Sequence, residues 1–161
     1  MAASVLAGVL SGGVAILPAD ASTSPVLARM ISTVKHRAVG ATTGRNIAPY
    51  GQCTWGAFEM FHRSTGMWPR ITGDAWVWRY TAAANGWSVT GYPQPRSIVV
   101  FQPDVQGASS QYGHVGWVES VDQRLDGRWV TLLEMNGTAG PGQWDRRTVR
   151  DTGGMSYILA P

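Results

Sequence analysis

The chain has 161 residues, the size of one ordinary domain, with a formal charge of +3 and a pI near 9.4. Hydrophobic residues make up 44% and charged residues only 14%, which excludes a disordered chain and leaves enough apolar mass for a real core. A basic balance suits anionic partners, whether nucleic acid, a membrane surface or an anionic wall polymer, but the basic residues are scattered and form no stripe, so a solvated basic surface is the competing reading and no nucleic-acid partner is expected.

The chain opens on a small apolar run, Ala2 to Leu17, too short and too rich in Gly for a membrane span. Ala19-Asp20-Ala21 is an A-x-A cleavage pattern, so residues 1–21 read as a secretory signal peptide cut after Ala21. No Lys or Arg precedes the run, and an uncleaved apolar arm or a buried helix is the competing reading. Residues 22–45 are a polar lead or linker. Val26 to Val34 allows a short helix there, and Ala38 to Tyr50 reads as linker or as loop packed onto the domain.

The domain proper is expected over residues 46–161. Cys53 to Arg63 carries Ala57, Phe58 and Phe61 at helical spacing and is stopped by Ser64-Thr65-Gly66. A second helix is predicted over Asp74 to Ala84, ended by Asn85-Gly86. Short runs rich in β-branched and aromatic residues follow: Trp87 to Thr90, Ser97 to Phe101, Val115 to Val121, Trp129 to Met135 and Met155 to Leu159. Asp126-Gly127 marks a hairpin turn. The cluster Asp145, Arg146, Arg147 and Arg150 reads as solvated basic surface. Helices first and an antiparallel sheet after them give an α+β domain.

One cysteine excludes an internal disulfide and a multi-Cys zinc site. It is buried filler or a working thiol. Cys53 opens a helix, where unpaired N–H groups and the helix dipole favour a thiolate. His114 stands between a Gly- and Gln-rich loop and a strand, placed for access, though a lone His also serves as a structural residue. His62 is too far along the first helix to reach Cys53, and His36 falls in the polar lead. Strand alternation puts Leu132, Glu134 and Asn136 on one face. Glu134 or Asn136 then orients an imidazole, unless the strand end simply reaches water.

Five segments in order resemble the CHAP family, the cysteine, histidine-dependent amidohydrolases/peptidases. They are Tyr50-Gly51-Gln52-Cys53-Thr54-Trp55, Gly73-Asp74-Ala75-Trp76, Ile98-Val99-Val100-Phe101, Gly113-His114-Val115-Gly116-Trp117-Val118-Glu119 and Glu134-Met135-Asn136-Gly137. The resemblance implies a papain-like cysteine peptidase fold, with N-terminal helices packed on an antiparallel β-sheet. It implies cleavage of an amide in bacterial peptidoglycan, by an N-acetylmuramoyl-L-alanine amidase or an endopeptidase. Its nucleophile falls on Cys53, its base on His114, and its third and fourth site positions on Glu134 and Asn136. Glu134 is expected to orient His114, with Asn136 supporting or sharing that role. The Cys53 N–H is a natural oxyanion donor and the Gln52 side chain a second candidate. Trp55, Trp76 and Trp117 are candidates to wall the cleft, with core packing as the competing use.

Two departures stand out. Pro93-Gln94-Pro95-Arg96-Ser97 must make its turn without the usual Gly. The stretch Ala41 to Gln52 holds no Asp or Glu, so calcium is not expected there, and no metal or cofactor is implied. The expected product is a secreted or wall-associated monomer with no stable membrane span. A phage lysin is the rival origin, and a weakly active wall or phage tail protein the rival class.

Overall fold

The structure, a computed structural model, describes residues 37–161. The expected signal peptide, the helix over Val26 to Val34 and His36 lie outside the described residues. Residues 37–45 are packed onto the domain. Strand β1 (Thr42–Thr43) pairs antiparallel with β2 (Trp68–Pro69). The Arg37 guanidinium donates to the Arg96 and Ala160 carbonyls at 2.9 and 2.7 Å.

Between those strands runs helix α1 (Cys53–Thr65). It starts where Gln52 is extended, at φ −90° and ψ 159°. It stops where Gly66 turns left-handed at φ 74° and its N–H closes on the His62 carbonyl. His62 and Arg63 in the last turn suit the dipole, and no acidic side chain occupies the first turn. Ala57, Phe58 and Phe61 are buried as their spacing demands, each phenylalanine contributing about 2–3 kcal/mol of hydrophobic transfer. His62 stacks on Trp68 with ring centroids 4.0 Å apart. The second predicted helix divides: a 3-10 turn over Ala75–Val77 leads into α2 (Trp78–Ala84). Trp78 stacks on Phe58 at 4.5 Å and fastens α2 to α1.

Both helices precede a six-stranded antiparallel sheet in the chain. Its strands are β3 (Val89–Thr90), β4 (Ser97–Phe101), β5 (His114–Arg124), β6 (Gly127–Met135), β7 (Trp144–Arg150) and β8 (Met155–Leu159), ordered β3-β8-β4-β5-β6-β7. β7 was not expected from the sequence. The turn into β4 is made by Arg96 itself, at φ 58°. That strained backbone is held by hydrogen bonds from its guanidinium to Ser64 Oγ and the Pro161 carbonyl.

Every residue of β4 is buried because both faces of the sheet are covered. On one face Ile98, Val100, Val115, Trp117 and Ile158 pack against Phe58 and Phe61 of α1. On the other, Val99, Phe101, Val118, Leu132 and Tyr157 pack with Ala108 and Val105 of the loop between β4 and β5. β5 begins and β6 ends at the same end of the sheet. Among the described residues no helix is long and apolar enough to cross a membrane.

Candidate active site

At that end lies a cleft of about 570 Å³, lined by Cys53, His114, Glu134 and Arg147 among others. Cys53 arrives from the helix face. The chain turns tightly into α1, with the Gln52 N–H on the Pro49 carbonyl at 3.3 Å. Gly56, one turn further on, lets the helix press against the end of β6, since a Cβ there would sit 2.7 Å from Met135 Cβ. That close approach brings the half-buried thiol to the sheet.

His114 is the first residue of β5 and pairs with Phe101, so it points to the opposite face from Val115 and Trp117. Only 7% of it is exposed. Its Nε2 lies 3.0 Å from Glu134 Oε2, which leaves Nδ1 as the ring nitrogen available to the Cys53 side chain in the same cleft. Glu134 is 1% exposed. Its second oxygen accepts a 2.7 Å bond from Arg147 Nε, and Arg147 Nη1 donates to the Gln106 carbonyl at 2.7 Å. The Arg147 guanidinium also lies over the Phe101 ring. A chain of thiol, imidazole, carboxylate and guanidinium thus crosses from α1 through β5 and β6 to β7. Gly137 is part of it, because a Cβ at that position would overlap Glu134 Oε1.

The electrostatics follow from that chain. Burial by itself lowers the His114 pKa, but the hydrogen bonds and charges of Cys53 and Glu134 outweigh it and raise the imidazole to about 9. Burial likewise works to raise the Glu134 carboxyl, yet His114 and Arg147 hold it below its ordinary value. The arrangement therefore favours an imidazolium beside a carboxylate.

Asn136 departs from the strand alternation. β6 ends at Met135, and Asn136 turns left-handed at φ 57°. Its Nδ2 donates to Gln52 Oε1 at 3.1 Å, so its amide meets Gln52 instead of the imidazole. None of Trp55, Trp76 and Trp117 lines the cleft. Trp117 points to the helix face and meets Phe61 edge-on in the core. Trp55 packs edge-on against Tyr50 at 4.8 Å. Trp76 backs onto Gly113, with its backbone held by Tyr112 and Gln102. The aromatic residue in the cleft wall is Tyr112, 51% exposed.

Sequence reasoning missed Arg147 and Tyr112. A period-two reading of Trp144 to Arg150 would have found the first. It sends Asp145, Arg147 and Val149 inward and the residues between them out to solvent. Among the described residues, no group of three or more His, Cys, Asp or Glu is arranged to hold a metal ion.

The CHAP domain family matches residues 43–136. Over 118 residues the chain is 36% identical to a staphylococcal secretory antigen of Staphylococcus aureus, a match covering 73% of this chain and 40% of that protein. It is also 36% identical to a protein of the same species named "Probable autolysin", covering 70% of this chain and 37% of the other. A crystal structure of an N-acetylmuramoyl-L-alanine amidase from Staphylococcus aureus superposes with a TM-score of 0.57 at 30% identity, over 74% of this chain and 35% of that one. The chain thus spans about two fifths of the length of the curated relatives it matches.

Proposed function

The chain belongs to the CHAP family, and on that premise we propose that it hydrolyses an amide bond of bacterial peptidoglycan, with Cys53 as nucleophile and His114 as base. The observation that carries the proposal is that Cys53 and His114 line one open cleft, with His114 Nε2 held 3.0 Å from the buried Glu134 carboxylate. The similarity to an N-acetylmuramoyl-L-alanine amidase and to a protein named as an autolysin supports the substrate class.

The reaction runs in two stages, acylation and deacylation. His114 Nδ1 takes the proton from Cys53 Sγ, and Glu134 stabilises the imidazolium. The thiolate attacks the amide carbonyl carbon, and the carbonyl electron pair moves onto oxygen. The Cys53 N–H at the start of α1 donates to that oxyanion, with the Gln52 side chain as second donor. As the tetrahedral adduct collapses, the C–N bond breaks and the leaving amine takes the proton from His114. Water then loses a proton to His114 and attacks the thioester, and the thiolate departs. A nucleophile on a helix facing a base on a sheet, with the helices first in the chain, supports a papain-like arrangement. The relatives' names, secretory antigen and autolysin, support a place outside the cell or in its wall.

Mass spectrometry of the products released from purified peptidoglycan tests the proposal and identifies the bond. New amino termini, from muramoyl-alanine or from within the stem peptide, are expected with the wild type and not with Cys53→Ser. Release of reducing sugars without new amines would overturn it.

A further inference from the structure

Gln52 and Asn136 both line the cleft, and neither side chain does what its position suggests. Gln52 is the N-cap of α1, yet its side chain caps no helix N–H. Asn136 lies two residues beyond Glu134, yet its amide is bonded to Gln52 Oε1 across 84 positions of sequence. The backbone is shaped for that contact. Asn136 is one of only four non-glycine residues with positive φ among those described, and its N–H is pinned to the Gln143 carbonyl at 3.0 Å. Asn enters the left-handed region more readily than most residues do. The turn takes its side chain off the line of β6 and over to the start of α1.

A carboxamide whose oxygen is engaged has its NH2 left to donate. With Oε1 held by Asn136, the Gln52 NH2 is the end free to face the cleft, on the residue next to the Cys53 N–H. We infer that Asn136 is a positioning residue that acts through Gln52, holding its NH2 as the second donor to the oxyanion, and that it does not act on His114. The inference rests on the reading that the Cys53 thiolate attacks an amide carbonyl. It separates two tasks that share one cleft: Glu134 serves the imidazole, and Asn136 serves the developing charge on the substrate oxygen.

The test uses Gln52→Ala, Asn136→Gly and the double variant, with two readouts. Gly adopts φ 57° without strain, so Asn136→Gly removes the amide and keeps the turn. The first readout is the rate of amine release from purified peptidoglycan. The second is alkylation of Cys53 by iodoacetamide, which displaces iodide at a saturated carbon. No oxyanion forms in that step, so it reports the thiol and His114 alone.

Gln52→Ala is expected to slow hydrolysis about 100-fold, in the range for loss of an oxyanion donor. Asn136→Gly is expected to slow it about five- to tenfold, the worth of one neutral hydrogen bond in holding the donor. The double variant should be no slower than Gln52→Ala, and alkylation should be unchanged throughout. Slower alkylation in Asn136→Gly, or losses that multiply in the double variant, would overturn the inference while leaving the Cys53 reaction standing. A wild type that releases no amine would remove the Cys53 reading and this inference with it.

Discussion

The two sides of the cleft hold their polar groups by different means. On the helix side, Gln52 and Cys53 sit at an exposed or half-exposed helix start, placed by backbone geometry and by the absence of a side chain at Gly56. On the sheet side, His114 and Glu134 are almost wholly buried, on a face otherwise built of Phe101, Leu132 and Val118. Charges there survive only because each is paired: His114 with Glu134, and Glu134 again with Arg147. The comparison teaches that reactivity and stability are divided across the cleft. Side chains on the helix side can be changed at little cost to the fold. A change on the sheet side strands a buried charge.

The largest expected effect is on activity alone. Cys53→Ser should lower peptidoglycan hydrolysis by at least about a thousandfold, as loss of a nucleophile does. The circular dichroism spectrum and melting temperature should stay as in the wild type. A variant that loses activity by unfolding would break the comparison.

The next effect falls on stability, and it separates two neighbouring arginines. Arg147→Met should destabilise the domain by roughly 2 kcal/mol, below the typical loss for a fully buried pair because Arg147 keeps some solvent contact. Arg146→Met removes a bidentate pair with Glu119 at 2.6 and 2.8 Å, but that Arg146 side chain is 60% exposed, and the loss should be clearly smaller than for Arg147→Met, because solvent screens the pair. Urea denaturation of both variants checks the ranking, and equal losses would contradict it. Smallest of all is the effect of chelation. EDTA should change the hydrolytic rate by less than about twofold, since thiol and imidazole chemistry needs no Lewis acid. Loss of activity restored by calcium would show that ligands had been overlooked.

The sequence carried much of this unevenly. α1 was legible because Ala57, Phe58 and Phe61 repeat at helical spacing and Gly66 ends them. β4 and β8 were legible with their bounds because both are buried throughout and read as short runs rich in β-branched and aromatic residues, with only Ser97 and Ser156 polar. β7 was not, since an edge strand bearing Asp145, Arg146 and Arg147 has only Val149 to mark its inner face. Arg147 vanished with it, because a charged pair in a row looks solvated until alternation sends one member inward. The placement of Asn136 failed for the converse reason. Alternation holds only inside a strand, and nothing in Met135-Asn136-Gly137 announces that the backbone turns left-handed there. The three tryptophans show a limit of composition: ring size says that a residue anchors something, not on which side of the sheet it does so.

The central claim is that the buried carboxylate and the thiol together hold His114 as an imidazolium, against the opposing effect of burial. Nuclear magnetic resonance titration of the His114 ring nitrogens measures this directly. The wild-type imidazole should titrate at about 9, and Glu134→Gln should move it down, because a charge-assisted hydrogen bond is replaced by a neutral one about half as strong. A wild-type His114 titrating at or below 6.5, the ordinary value for the side chain, would mean that burial wins and would contradict the account.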